Sequence, residues 1–334
     1  MTVTGIPLAK LLVQLEKLVN KSLKLWNIPE DVSAELINVS ENFTYRIENP
    51  SGFKAILRVH RENYHSRRSI ECELIWIDAL SKSGLIETPS YFFGKDGSAI
   101  QECSIDNING SRYLVLFHFV SGSAPEENKN LDTLYEKLGR LAGTCHNHVL
   151  SWEKPDNFER LTWDIDTIFG SNASWGNWRL APEVTKEIQD KLERVELKIR
   201  GRLLDYGKSE KRFNLIHADM RLANLLIDQE STRLIDFDDC GFGWFMYDFA
   251  SAISFIEDSP MVSYFKSSWI KGYKSVRELS VEDEKEIDTF IMLRRMALLA
   301  WIGSHIEAPE PQQLSAGFAE TTAKLGDIWL NSLD

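Results

Sequence analysis

Three oxygen-bearing side chains in one short stretch have the types and spacing that phosphoryl transfer requires. Asp219 lies within His217-Ala-Asp-Met-Arg-Leu-Ala-Asn224, five residues before Asn224, and Asp236 follows twelve residues after that asparagine. An aspartate can accept a hydroxyl proton, and an amide together with a second carboxylate can hold Mg2+, which prefers oxygen ligands. The pattern therefore predicts transfer of a phosphoryl group from ATP to a hydroxyl.

The segment between the two predicted metal ligands has the pattern of a hairpin. Leu225-Leu-Ile-Asp-Gln-Glu-Ser-Thr-Arg-Leu-Ile235 contains two short apolar runs around a polar turn. Such a hairpin would return Asn224 and Asp236 to the same end, where both could bind one ion.

These residues resemble the signature of the aminoglycoside phosphotransferase and choline kinase superfamily, which usually runs His-Gly-Asp-x-x-x-x-Asn and then Ile-Asp-Phe or Ile-Asp-Trp. The chain is most similar to the branch that contains type II homoserine kinases and bacterial stress-response kinases. The resemblance implies a two-lobed, protein-kinase-like α+β fold, with an antiparallel-sheet N-lobe and a mainly helical C-lobe, and it implies ATP and Mg2+ as cofactors. It also implies that Asp219 is the catalytic base and that Asn224 and Asp236 are the magnesium ligands. His217 and Asp248 are implied to brace the catalytic loop.

Two positions depart from that signature. Ala218 replaces the usual glycine, which predicts a backbone without positive φ at that point. Arg221 stands two residues after the predicted base, where we expect a cation close to the transferring phosphoryl group.

The first 120 residues have the pattern expected of the nucleotide-binding lobe, and residues 121–334 that of the helical lobe. Apolar residues at helical spacing predict a leading helix between Leu8 and Trp26. Three strand-like segments follow, at Ala34–Val39, Phe43–Ile47 and Phe53–Val59. They predict an antiparallel sheet.

Two features of this sheet could contact the nucleotide. The turn Ser40-Glu-Asn42 replaces a glycine-rich loop, and its hydroxyl, amide and backbone N–H groups could face the phosphates. Arg58, on the third strand, stands where protein kinases place their phosphate-contacting lysine, although a strand-end arginine with its head in solvent is the alternative.

Helical geometry selects a partner for Arg58 from the segment Ser69–Leu80. Ile70, Leu74, Ile77 and Leu80 recur at intervals of three and four residues, and Glu73 shares their face, whereas Glu71 does not. A buried carboxylate needs a cation or hydrogen-bond donors. We therefore expect Glu73 to pair with Arg58.

The apolar strand Tyr113–Gly122 is expected to join the two lobes. The resemblance implies that it forms an adenine-binding hinge, with main-chain contacts from His118 and Val120.

The second lobe is predicted to contain helices at Leu131–His148, at Pro182–Leu204 and after Ser280, the last as scaffold. Cys145-His-Asn-His148 is not predicted to bind zinc because no second group of ligands is evident. Some of four tryptophans could line an acceptor pocket: Trp152, Trp163, Trp175 and Trp178. Asp238 and Asp239 could bind a substrate amine or a second magnesium, or cap a turn.

Composition favours an intracellular enzyme. The 334 residues carry 38 basic and 50 acidic side chains, a net charge of −12, which argues against binding to nucleic acid or anionic membranes and is compatible with a cationic substrate. The four cysteines are scattered, the N-terminus lacks a basic segment followed by an apolar signal core, and no apolar run reaches the length of a membrane span. These features predict a cytoplasmic location.

The sequence thus predicts a kinase whose acceptor is a small hydroxyl compound, an amino alcohol or an amino acid. A Ser/Thr protein kinase of the stress-response type is the alternative, although no Ala-Pro-Glu segment follows Asp236. A pseudokinase is disfavoured because Asp219, Asn224 and Asp236 are all present.

Overall fold

A computed structural model describes residues 6–40, 42–104, 110–125, 130–228 and 231–333. The chain divides into two units. The first consists of Met1–Ala79, Thr88–Ser121 and Glu307–Glu310, and the second of Leu80–Glu87, Gly122–Ile306 and Pro311–Asp334.

A five-stranded antiparallel sheet forms the centre of the first unit, in the order β1-β2-β3-β5-β4. The three predicted strands are present as β1 to β3, and two further strands complete the sheet. Their bounds are β1 Ser33–Val39, β2 Asn42–Glu48, β3 Lys54–His60, β4 Ile100–Ser104 and β5 Ser111–His118.

Two helices accompany this sheet. The predicted leading helix is α1 (Leu8–Ser22), whose Leu11, Leu15 and Leu18 are buried in one core with strand residues of the sheet. Helix α2 (Arg67–Ser83) buries the predicted stripe, including Ile70 and Ile77. Its inward face is therefore the one that carries Glu73.

The second unit is mainly helical, as the α+β prediction requires. Its helices are α3 Leu131–Ser151, α4 Ile165–Phe169, α5 Lys186–Tyr206, α6 Tyr247–Ala252, α7 Val262–Lys274, α8 Val281–Ser304, α9 Pro309–Leu314 and α10 Phe318–Asn331. Helix α8 begins after Ser280 as predicted, and the Ser280 hydroxyl caps it by accepting a hydrogen bond from the N–H of Asp283.

Short strands lie among these helices. One sheet has the order β6-β10-β7 (Leu161–Trp163, Gly241–Trp244 and Phe213–Ile216). The predicted hairpin is confirmed as β8 (Leu225–Asp228) and β9 (Ser231–Leu234), with Leu225 opposite Leu234.

Helices α3 and α7 approach each other closely at two glycines. A Cβ atom on Gly139 would lie 1.9 Å from the carbonyl oxygen of Trp269, and one on Gly272 would lie 1.9 Å from that of Glu136. Only glycine permits this approach. It brings His146 of α3 and Tyr273 of α7 within hydrogen-bonding distance.

No helix in the described part of the chain is long and apolar enough to cross a membrane.

Candidate active site

The segment that carries Asp219 leaves strand β7 and ends in a short helical turn, Leu222–Asn224, before strand β8. Asp219 is 8% exposed and Asn224 6%. The predicted base and the first predicted metal ligand therefore lie on a buried connection between two strands of the second unit.

The prediction for Ala218 is wrong. Its φ is +65°, in the left-handed region that the absence of glycine argued against. The cost for alanine is roughly 1–2 kcal/mol. Two backbone hydrogen bonds to Asp248 outweigh this cost. Ala218 donates its N–H to Oδ1 at 2.7 Å, and His217 donates its backbone N–H to Oδ2 at 3.3 Å. Each bond to a carboxylate contributes about 1.5–3 kcal/mol.

The His217 ring joins the catalytic loop to the segment before Asp236. Its Nδ1 accepts a hydrogen bond from the N–H of Asp219 at 3.3 Å, so Nε2 is the nitrogen that donates to the carbonyl oxygen of Ile235 at 3.1 Å. His217 and Asp248 are thus hydrogen-bonded to the backbone of the loop, and His217 also to that of Ile235.

The role of His146 was not predicted, although this residue of α3 is the second in the motif Cys145-His-Asn-His148. Its Nε2 lies 3.0 Å from Oδ2 of Asp248, and its Nδ1 lies 3.0 Å from the hydroxyl of Tyr273 on α7. Arg277 donates to the same hydroxyl at 3.0 Å. Burial lowers the pKa of His146 although the neighbouring Asp248 raises it. The neutral ring can therefore donate to Asp248 and accept from Tyr273.

Donors surround the carboxylate of Asp219. The amide of Asn224 donates to Oδ2 at 2.8 Å, and Arg294 of α8 donates to Oδ1 at 2.9 Å. Arg221 places its Nε 3.2 Å from each oxygen. Burial by itself raises the pKa of Asp219, but Arg221, Arg294 and the Asn224 amide outweigh burial and hold this pKa below its ordinary value. The group is therefore a carboxylate at neutral pH and can accept a proton.

The hairpin connects the two predicted metal ligands. The N–H of Ile235 donates to the backbone oxygen of Asn224 at 3.0 Å, which ties the residue before Asp236 to Asn224. The side-chain amide nitrogen of Asn224 donates two hydrogen bonds to Asp219, one to its backbone oxygen and one to Oδ2. Its Oδ1 and the exposed carboxylate of Asp236 are hard oxygen donors, which suit Mg2+.

Arg58 and Glu73 form the predicted ion pair in the first unit. Nη1 of Arg58 lies 2.6 Å from Oε1 of Glu73, which is fully buried. Glu71 pairs instead with Arg67 and Arg68, at 3.2 and 3.4 Å, and is partly exposed. The helical-face reasoning that chose Glu73 over Glu71 is confirmed.

We expect the losses in ATP affinity on changing Arg58 and Glu73 to alanine to be non-additive, because each variant leaves the other charge buried without its partner. Isothermal titration of ATP with both single variants and the double variant measures the coupling. Arg67→Ala and Glu71→Ala form the control cycle: that pair is exposed and should couple by no more than about 1 kcal/mol. Strictly additive losses at Arg58 and Glu73 would contradict a direct role for the pair.

The Ser40–Asn42 turn closes on itself, while its central residue, Glu41, lies outside the described residues. Ser40 donates its N–H to the carbonyl oxygen of Asn42 at 3.0 Å. Arg61, which the sequence did not single out, donates to the carbonyl oxygen of Ser40 at 2.9 Å and, through its backbone N–H, to Oδ1 of Asn42 at 3.4 Å. Arg61, the residue that follows β3, thus holds Ser40 and Asn42 in place.

His118 is the last residue of β5, and Val120 follows shortly after it. The N–H of His118 already donates to the carbonyl oxygen of Ser90 at 2.8 Å, and its ring packs on Phe92 at 3.7 Å between centroids. A main-chain hydrogen bond between His118 and a purine would therefore use the carbonyl oxygen of His118.

Asp238 and Asp239 are both buried, at 4% and 9% exposure. Arg160 donates to the backbone oxygen of Asp238, and the indole N–H of Trp163 donates to that of Asp239 at 2.7 Å. The backbone of both residues is thereby held shortly after Asp236, with Trp163 as a neighbour.

Helix α8 is more than scaffold because it supplies Arg294. This side chain is 2% exposed, and its guanidinium carbon lies 5.0 Å from the Trp175 ring and 5.6 Å from the Tyr247 ring. Burial by itself lowers the pKa of Arg294, but the negative charges around it, those of Asp219 and Asp239 included, raise the pKa above its ordinary value. No periodicity in the sequence distinguishes this arginine from its neighbours.

Comparisons with known proteins agree with this arrangement. The profile of the phosphotransferase enzyme family matches residues 34–279. The amicoumacin kinase of Bacillus subtilis (strain 168) is 25% identical over 296 residues, which cover 84% of this chain and 83% of that protein. A solved structure of an amicoumacin kinase in complex with AMP-PNP, Ca2+ and Ami is similar in fold, with a TM-score of 0.76, 21% identity, and coverage of 95% of this chain and 96% of that one.

A solved structure described as a microcompartment-associated aminopropanol kinase is 36% identical, with a TM-score of 0.86 over 95% of this chain and 98% of that one. Together with the family match over most of the chain, this similarity places the protein in the phosphotransferase enzyme family, as a small-molecule kinase with a protein-kinase-like α+β fold that phosphorylates a hydroxyl group.

Proposed function

We propose that the protein transfers the γ-phosphoryl group of ATP, with Mg2+, to the hydroxyl of a small amino alcohol of the aminopropanol type. The observation that carries this proposal is the buried Asp219, held as a carboxylate between Asn224, Arg221 and Arg294. Similarity to an aminopropanol kinase at 36% identity supports the acceptor class.

Asp219 is the group that takes the acceptor proton. Its two oxygens are held by donors, so the carboxylate has one orientation toward an incoming hydroxyl. Arg221, with a side chain 28% exposed, adds positive charge beside the base and stabilises the charge that develops on the transferred phosphoryl group.

Asn224 and Asp236 are the residues that would hold Mg2+. A bound divalent ion neutralises phosphate charge. The amicoumacin kinase structure that contains AMP-PNP and Ca2+ supports the use of a nucleotide with a divalent ion in proteins of this fold. The Asn224–Asp219 hydrogen bond orients the amide so that its oxygen remains the free acceptor.

The first unit supplies the nucleotide contacts in this proposal. Arg58, fixed by Glu73, neutralises the non-transferred phosphates, and the turn at Ser40 and Asn42 offers polar groups to them. The carbonyl oxygen of His118 and the main chain of Val120 are the candidates for the purine edge.

The acceptor amine is assigned to the carboxylates of Asp238 and Asp239, because a net charge of −12 and two buried aspartates near the base favour a cation. Trp163 and Trp175 stand 4.7 Å apart between ring centroids near Arg294 and Tyr247, and they provide apolar walls for a short carbon chain.

This assignment is tested by measuring ADP release with aminopropanol and with propanediol, which lacks the positive charge of the amine. We expect Asp239→Asn or Asp238→Asn to raise the apparent KM for the amine roughly 10-fold more than for the diol, which is the effect of about 1.4 kcal/mol. The difference should persist at high salt, since buried charges are screened little.

Asp258→Asn, an exposed position, serves as the control and should change neither KM. Equal effects of the Asp238 or Asp239 variants on both acceptors would remove the amine assignment. Phosphorylation of protein substrates without turnover of any small acceptor would instead favour a stress-response protein kinase.

A further inference from the structure

Arg294 is held on several sides by groups of the second unit. Its Nη2 donates to Oδ1 of Asp219 at 2.9 Å, its Nε donates to the Ser254 hydroxyl at 3.0 Å, and its Nη1 lies 3.5 Å from the Tyr247 hydroxyl. The Trp175 ring lies 5.0 Å from the guanidinium carbon. A planar fork fixed by hydrogen bonds and an aromatic ring has little freedom to rotate.

The contacts of Asp219 give Arg294 a specific effect on the base. Arg221 lies 3.2 Å from both carboxylate oxygens and so does not distinguish one from the other. Asn224 donates to Oδ2 alone and Arg294 to Oδ1 alone. Rotation of an aspartate about its terminal torsion is otherwise broad, so the two one-sided contacts determine the orientation of the carboxylate plane.

We propose that Arg294 is a positioning residue that aims the carboxylate of Asp219 at the acceptor hydroxyl. This inference rests on the proposed function, in which Asp219 is the base. Arg294 acts through Asp219 from a helix that begins more than sixty residues after Asp219, and it is absent from the signature that contains Asp219, Asn224 and Asp236.

The neighbouring Arg295 supplies a matched control. It is equally buried, at 2%, and its ion pair is made with Glu257 at 2.6 Å, with a further hydrogen bond to Thr322 at 2.9 Å. Arg295 therefore has the burial and charge of Arg294 without the contact with Asp219. Its replacement tests what the loss of a buried arginine from α8 does to the fold alone.

The experiment measures kcat and KM with ATP, Mg2+ and aminopropanol, and the thermal midpoint, for Arg294→Gln and Arg295→Gln. We expect Arg294→Gln to lower kcat about 10²-fold, the effect of a small misplacement of a reacting group, with KM for ATP unchanged. Arg295→Gln should lower the thermal midpoint and leave kcat near the wild-type value.

Rescue provides a readout that a purely structural role would not change. Guanidinium ion at non-denaturing concentration should restore part of the kcat of Arg294→Ala, and potassium ion at equal ionic strength should not. Arg294→Lys should show an intermediate kcat, because lysine keeps the charge but lacks the planar fork.

Wild-type kcat in folded Arg294→Gln would overturn the inference, as would equal losses of kcat in the Arg294 and Arg295 variants. If Arg294→Gln does not fold, wild-type kcat in Arg294→Lys overturns it. Full activity of Asp219→Asn would refute the base itself, whereas an inactive Asp219→Asn with an unaffected Arg294→Gln would refute only the role of Arg294.

Discussion

Asp219→Asn is expected to lower kcat by about 10²–10⁴-fold, the contribution of a positioned general base, which corresponds to roughly 3–5 kcal/mol of barrier. Asparagine keeps the size of the side chain and one acceptor oxygen, so it can retain one of the two hydrogen bonds from Arg294 and Asn224 while the proton acceptor is lost. Steady-state turnover measures the loss of the base, and a separate titration with ATP measures any loss of nucleotide binding. Affinity for the nucleotide should change little.

Asp205→Asn, on an exposed face of α5, is the matched control and should leave kcat unaltered. Near-wild-type turnover by Asp219→Asn on an acceptor that the wild-type enzyme phosphorylates would exclude Asp219 as the base.

Asp236→Ala is expected to abolish most of the dependence of ATP binding on Mg2+. A metal-bound carboxylate supplies both a ligand and a negative charge. Loss of a residue that only supports a ligand lowers metal affinity by about 10–100-fold, so loss of the ligand itself should weaken Mg2+-dependent binding of ATP by at least that factor. Calorimetric titration of ATP with and without Mg2+ gives this ratio for the wild-type and variant proteins.

Asp228→Ala changes a carboxylate at the far end of the same hairpin and controls for damage to β8 and β9. The same magnesium dependence in Asp236→Ala and in the wild-type protein would show that Asp236 is not a ligand.

Local patterns predicted the parts of the site whose partners lie close in sequence. The alternating apolar runs predicted the hairpin that carries Asn224 and Asp236, and the helical stripe of α2 selected Glu73 as the partner of Arg58, fifteen residues away. In both cases, one secondary-structure periodicity decides which side of an element faces inward.

The features that were missed depend on contacts between distant segments. Arg294 meets Asp219 across 75 residues and His146 meets Asp248 across 102, and neither contact has a signal at fixed spacing. The last three turns of α8 are buried on most sides, so an apolar stripe could not show where its arginines point. The backbone of Ala218 was mispredicted because the carboxylate of α6, and not the residue itself, determines its φ.

The bonds from His217 and Ala218 to Asp248 make the catalytic loop and α6 one cooperative unit. Both amide protons are given to a carboxylate that is fully buried and also held by His146. They can exchange with solvent deuterium only when α6 separates from the loop, so their exchange rates report the opening of that helix. We therefore expect the loop to keep this shape only while α6 is docked.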